Sequence, residues 1–138
     1  MDSFRIIQWE SAFALHIGDI DEQHKRLIVL INELHAAMLQ GAGQAALSGL
    51  FTALIDYTEV HFSTEEKLMA DRAYLGTPMH KFGHSRFVKK VRAMEGEFAA
   101  GKKRVSLALM SFLSDWLREH IMVEDRKYVG HLLAKVLS

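Results

Sequence analysis

Residues 77–98 read TPMHKFGHSRFVKKVRAMEGEF, and Pro78 is the single proline of the chain. This stretch decides the fold. The Thr77 oxygen is placed to cap free backbone N–H groups, and a proline at the first helical position lacks the N–H that would have no partner there. From that start His80, His84, Phe87, Val91, Met94 and Phe98 recur at three- and four-residue intervals, up to a stop near Gly101. Such spacing draws one inward stripe along a helix. Two of its positions are imidazoles.

The flanking sequence repeats the pattern. Ile20, His24, Leu27, Ile28, Ile31, Leu34, His35, Met38 and Leu39 form a first stripe, with Asp19 or Asp21 available as its cap. A second runs from about Leu47 to Arg72 through Leu47, Leu50, Phe51, Leu54, His61, Glu65, Leu68 and Met69, and a fourth from Val105 to Asp125 through Leu109, Phe112, Leu113, Trp116 and His120. Glycines at 41, 43, 49, 76 and 101 fall at or near the breaks. Four such segments with short connections predict an all-α, up-down-up-down antiparallel four-helix bundle. We expect a single domain: an arm over residues 1–18, the bundle over 19–126, and a short C-terminal helical segment over 127–138. The arm carries Phe4, Ile6, Ile7 and Trp9 and is expected to pack across the bundle as a lid.

Composition narrows the function. The 138 residues hold 17 basic and 17 acidic side chains, so no net field favours nucleic acid. Cysteine is absent, which excludes disulfides, thiolate metal sites and cysteine nucleophiles. The longest aliphatic run, Leu27 to Ile31, is far short of a membrane span, and the opening Met1-Asp2-Ser3-Phe4 has no basic leader. The expectation is a soluble, cytoplasmic protein that binds neither nucleic acid nor membrane. Its eight histidines need an explanation.

Seven polar residues fall on or beside the inward stripes: His24, His61, Glu65, His80, His84, His120 and Asp125. In an antiparallel bundle the starts of the first and third helices meet the ends of the second and fourth, which brings all seven to one level. His61 with Glu65, and His80 with His84, are i,i+4 pairs that share a helix face, as chelation requires. Burying two carboxylates in an apolar layer without a cation is costly, and no Lys or Arg occupies a matching inward position. His120 and Asp125 are spaced i,i+5, so both reach one site only if a π-bulge or a helix end lies between them. His35 lies ~16 Å further along its helix than His24, and with His16 and His131 it is assigned to structure or surface.

Seven ligands are too many for one six-coordinate ion, which points to two ions with Glu65 and Asp125 as bridges. With an oxo or hydroxo bridge added, such a set fills all but one position of two octahedral ions, leaving room for one small molecule. Ferritin-like di-iron enzymes use paired Glu-x-x-His motifs, and none occurs in this chain.

Gly18 with Asp21-Glu22-Gln23-His24, His61-Phe62-Ser63-Thr64-Glu65-Glu66, His80-x-x-x-His84, and Trp116-Leu117-x-x-His120-Ile121-x-x-x-Asp125 with Tyr128 together resemble the bacterial hemerythrins, a non-haem di-iron dioxygen-binding family. The resemblance implies that His80, His84 and His120 hold a saturated iron and His24 and His61 an open one. It further implies that Glu65, Asp125 and an oxo or hydroxo group bridge the two irons. The implied activity is reversible dioxygen binding for storage, delivery or buffering, by a carrier rather than an enzyme, with a recipient protein or oxygenase as partner. The choice of iron over manganese or zinc also rests on the resemblance. An oxygen or redox sensor, and a di-iron nitric oxide or peroxide reductase, are the alternatives. Ile28, Phe62, Trp116 and Leu117 are the candidates for a dry pocket over the open position. Tyr128 resembles a family aromatic near the site, its hydroxyl bonding a ligand or reaching solvent.

Overall fold

The computed structural model describes the backbone of residues 7–41, 44–100 and 105–137, and the side chains of all of these except 44, 105–107 and 132–137. A 3-10 turn, Ser11–Phe13, precedes α1 (Gly18–Leu39), α2 (Gln44–Asp71), α3 (Thr77–Ala99) and α4 (Val105–Glu119). A π-helical segment, His120–Asp125, then leads into α5 (Arg126–Leu137). No strand occurs among the described residues.

The helices are antiparallel to their neighbours. Gln23 near the start of α1 meets His61 and Thr64 toward the end of α2. Phe51 near the start of α2 meets Phe98 at the end of α3, and Phe87 in the first half of α3 stacks on Trp116 near the end of α4. The bundle has two halves. One is filled by Leu30, Ile31, Leu34, Phe51, Leu54, Val91, Leu109 and Leu113, all buried. At roughly 2 kcal/mol for each large aliphatic side chain removed from water, this half supplies much of the drive to assemble. The other half holds the polar residues.

The starts of α1 and α3 are fixed by contacts that differ from simple capping. At α1 the N-cap is Ile17 and makes no side-chain cap bond; the Asp21 carboxylate instead reaches back to accept from the Leu15 and His16 N–H groups, 2.8 and 3.1 Å. At α3 the N-cap is Gly76, and the Thr77 hydroxyl donates to the Tyr74 carbonyl at 2.6 Å. Thr77 therefore closes the preceding turn rather than capping the helix, and Pro78 sits one position further in. Helix α2 starts three residues before Leu47. Leu39, placed on the inward stripe by its spacing, is exposed, because the last turn of α1 extends past the core.

The arm does pack across the bundle in its described part. Asn32 on α1 donates to the Ile7 carbonyl at 2.7 Å and accepts from the Ile7 N–H at 3.2 Å, so one side chain satisfies both backbone groups of that residue. Ile7 and Phe13 are buried, Trp9 packs edge-on against Phe13, and Arg126 donates to the Ala12 carbonyl. Phe4 and Ile6 lie outside the described residues. No helix is long and apolar enough to cross a membrane among the described residues.

Candidate metal centre

The π segment is the local feature on which the site turns. Its flanking residues, Glu119 and Arg126, are both right-handed helical, so the chain runs from α4 into α5 without a loop, through one widened stretch. A π turn accommodates an i,i+5 spacing on one face. His120 and Asp125 are accordingly both buried, and their side chains approach to 3.1 Å. The C-terminal helix is thus the direct continuation of α4.

All seven polar residues converge. His24, His61, Glu65 and Asp125 are fully buried, and His80, His84 and His120 nearly so. Each histidine presents Nε2 to the carboxylates. Around Glu65 Oε1 stand His120 at 2.9 Å, His61 at 3.1 Å and His84 at 3.4 Å. His24 lies 2.9 Å from Asp125 Oδ2, and His80 3.1 Å from Asp125 Oδ1. Two overlapping groups result, one of His24, His61, Glu65, His120 and Asp125, the other of Glu65, His80, His84 and His120, each with ligand atoms within 4.8 Å of one another.

Close approach is not the same as satisfaction. His24 Nδ1 and Nε2, His61 Nε2, His80 Nε2, His84 Nδ1 and Nε2, and both Asp125 oxygens are buried without a hydrogen bond among the described residues. His61 explains why. Its Nδ1 lies 2.7 Å from Gln23 Oε1, and Gln23 Nε2 donates to the Thr64 hydroxyl, which itself donates to the Val60 carbonyl. That chain assigns the amide oxygen to His61 and the ring proton to Nδ1. The Nε2 lone pair then faces a carboxylate oxygen at 3.1 Å. Acceptor against acceptor is repulsive, and only a cation between them resolves it. No Lys or Arg lies within ion-pair distance of Glu65 or Asp125 among the described residues. Mixed imidazole and carboxylate donors suit iron, manganese or zinc, so the residues fit a metal.

Without metal, protons take part of that role. Burial alone would lower the pKa of His120, but Asp125 and Glu65 outweigh it and push it up to about 10. Burial opposes ionisation of Glu65 as well, yet His120 and His61 hold its carboxyl well below the usual range. Burial lowers His84 to about 4, and also lowers His24 despite the Asp125 carboxylate 2.9 Å away. Neutral imidazoles are the form that donates a lone pair to a metal.

The surrounding rings close the site. Trp116 stacks on His120 with centroids 4.5 Å apart, and Phe62 on His84 at 3.7 Å and 4°. Phe62 is thus far closer to His84 than to its sequence neighbour His61, 6.0 Å away, because consecutive helical residues point about 100° apart. Phe62 and Trp116 therefore flank the three-histidine side rather than the His24–His61 side over which the pocket was placed. Ile28 and Leu117 are buried core residues. Tyr128 is fully buried, and its hydroxyl donates to Glu65 Oε2 at 2.6 Å. Burial and the nearby carboxylates Glu65 and Asp125 push its pKa far up, so it remains a donor. His16 is exposed, and His131 bonds the Arg72 carbonyl at 3.1 Å, away from the cluster.

Gln23 was not singled out by sequence reasoning, although it directly precedes His24. Residues that only orient a metal-binding histidine typically contribute 10–100-fold to affinity. Gln23→Leu should weaken metal retention by the group that contains His61 by about that factor in a chelator competition, while Gln23→Glu, which keeps an acceptor for Nδ1, should retain most of it. Equal retention in the parent and Gln23→Leu proteins would show that the amide does not set the His61 tautomer.

Residues 15–132 match the model of the hemerythrin HHE cation binding domain. The chain belongs to the hemerythrin family. A bacteriohemerythrin of Pseudomonas aeruginosa is 40% identical over 121 residues, covering 88% of this chain and 78% of that protein. A bacteriohemerythrin of Methylococcus capsulatus is 32% identical, covering 89% and 94%. A crystal structure of wild-type hemerythrin superposes with a TM-score of 0.78 at 29% identity, over 92% of this chain and 98% of that one. The four-helix bundle of this hemerythrin and its cluster of histidines and carboxylates therefore stand on both sequence and structure.

Proposed function

We propose that the chain binds dioxygen reversibly at two irons bridged by Glu65, Asp125 and an oxo or hydroxo group, and serves as an oxygen store, carrier or buffer. The observation that carries this reading is the set of buried, unbonded donor atoms, which falls into two groups joined through Glu65 and His120. Two irons would supply the two electrons that a guest dioxygen takes up and returns.

The protein's own residues do the rest. Gln23 fixes the His61 ring so that Nε2 faces inward, and Tyr128 holds Glu65 by its outer oxygen, leaving Oε1 for the centre. The π segment turns Asp125 toward His24 and His80. Phe62 and Trp116 cover two of the imidazoles, and Ile28, Ile121 and Leu117 are buried in the surrounding core, which limits the water that would promote irreversible oxidation. Five imidazoles with two carboxylates form a less anionic cage than the four-glutamate enzymes possess, and this favours the reduced pair and so release over substrate oxidation.

An anaerobic titration tests the reading. The reduced, iron-loaded protein is exposed to air and then deaerated, while the visible spectrum is recorded and iron per chain is counted. A charge-transfer band should appear with oxygen and disappear on its removal, over repeated cycles. A band that persists after deaeration, or a colourless protein holding zinc, would contradict it.

A further inference from the structure

Both ring nitrogens of His84 are buried without a hydrogen bond among the described residues. Its Nε2 faces Glu65 Oε1 at 3.4 Å, on the inner side of the ring. Its Nδ1 lies on the other side and needs an acceptor of its own, because a neutral imidazole that gives the Nε2 lone pair to a metal carries its proton on Nδ1. Left buried and unpaired, that N–H is costly.

Glu66 is within reach of it. Its Oε1 lies 4.0 Å from His84 Nδ1, and its side chain is 26% exposed. Among the described residues Glu66 meets no Lys or Arg within ion-pair distance, whereas Lys25, Arg92, Arg118 and Lys127 each face another glutamate. His84 Nδ1 is thus its one charged or polar neighbour at that range.

Helix α2 accounts for the approach. Phe62 and Glu66 are spaced i,i+4 and share one helix face, and Phe62 stacks on His84 at 3.7 Å and 4°. The stack fixes the plane of the imidazole, and Glu66, one turn further along α2, comes to its Nδ1 edge. Glu65, about 100° around the helix axis from Glu66, comes to the Nε2 edge instead. Two adjacent carboxylates therefore address the two nitrogens of one ring. His24 Nδ1 is also unbonded, but Asp125, at Nε2, is the only carboxylate within ion-pair distance of that ring among the described residues.

We propose that Glu66 is a positioning residue for His84, accepting the Nδ1 proton when Nε2 is given to an ion held by Glu65, His80, His84 and His120. This rests on the two-ion reading above. The 4.0 Å gap closes to a charge-assisted hydrogen bond of about 2.7–2.9 Å, a movement within reach of a long side chain that nothing else holds. The pairing makes the two groups unlike, since His61 is oriented by the neutral amide of Gln23 and His84 by an anion. A carboxylate on the outer nitrogen raises the basicity of an imidazole, so the ion of the His84 group is the more firmly held.

The test uses the full chain loaded with zinc as a diamagnetic probe, with ions per chain counted before a chelator is added. Glu66→Ala should weaken retention of one ion by about 10–100-fold, and Glu66→Gln, which keeps an acceptor oxygen without the charge, should recover part of the loss. The same loss should appear in a His61→Ala background, where the ion of the His84 group remains, and vanish in a His84→Ala background, where the other remains. Nitrogen-resolved NMR spectra should show a slowly exchanging His84 Nδ1 proton in the parent and none in Glu66→Ala. Melting of the metal-free protein should not change with Glu66→Ala. A parent chain that holds fewer than two ions would refute the two-ion reading and this proposal with it. With two ions bound, retention unaffected by Glu66→Ala, a loss as large in the His84→Ala background, or an equal drop in the metal-free melting temperature would overturn the role of Glu66 alone.

Discussion

Glu65→Ala protein, produced in iron-supplied medium and freed of loosely held metal, is expected to contain neither ion of the proposed pair. Glu65 is fully buried, and its Oε1 atom lies within 3.4 Å of His61, His84 and His120, so it belongs to both overlapping ligand groups. Its loss also leaves the buried Tyr128 hydroxyl without its acceptor, at a cost of about 1–3 kcal/mol. We expect affinity to fall by more than about a hundredfold, beyond what a merely orienting residue contributes. His61→Ala and His84→Ala are the informative comparisons, since each belongs to one group alone. Each should retain one ion per chain. Elemental analysis beside circular dichroism separates metal loss from unfolding, and a Glu65→Ala protein with two ions per chain would refute the bridging role.

Removal of metal should lower the melting temperature by about 10–20 °C. Eight buried nitrogen and oxygen atoms lack hydrogen bonds without it. If even a few of these each cost about 1–3 kcal/mol, the sum is several kcal/mol, and a domain of this size loses roughly 2–4 °C for each. The metal-free protein should also show its own pH optimum. His120 has its pKa raised to about 10, so its contribution is complete below the unfolded histidine value of about 6.5 and is lost as pH rises through 10. His84 has its pKa lowered to about 4, so the unfolded chain takes up the proton first and stability falls as pH drops from about 6.5 toward 4. Glu65 and Asp125, both lowered, add a further loss in stronger acid. A maximum near pH 6.5 follows, read by thermal melts across pH. Metal uptake above that pH must displace the His120 proton, so it should release acid measurable in a weakly buffered titration. A melting temperature unchanged by chelation would remove the argument from unbonded donors.

The buried cluster was legible because its chemistry conflicts with its position. Histidines and acids at stripe positions break the apolar pattern, and helical rise alone brings them to one level. The i,i+5 spacing of His120 and Asp125 even announced the π segment, since regular helix could not serve both. What stayed hidden depends on contacts between residues distant in sequence. Gln23 gains its role from His61, 38 positions away, and the Asn32 clasp on Ile7 joins elements with no shared periodicity. Local signals misled at helix starts: Asp21 and Thr77 have the right chemistry to cap, but the preceding turns offered them nearer partners. The direction of Phe62 was lost for a similar reason. Adjacency along a helix places neighbours on different faces, so the residue beside one histidine of the cluster covers another.

Between His120 and Asp125 the chain carries Ile121, Met122, Val123 and Glu124, and Met122 and Val123 are exposed. Their identity matters less than their number. With all four present, a regular α-helix would swing the acid about 100° around the axis and away from its imidazole partners, whereas deleting one would leave an i,i+4 pair that regular helix keeps on one face. The π segment is thus what lets a stretch one residue longer than an i,i+4 pair still aim a single carboxylate inward.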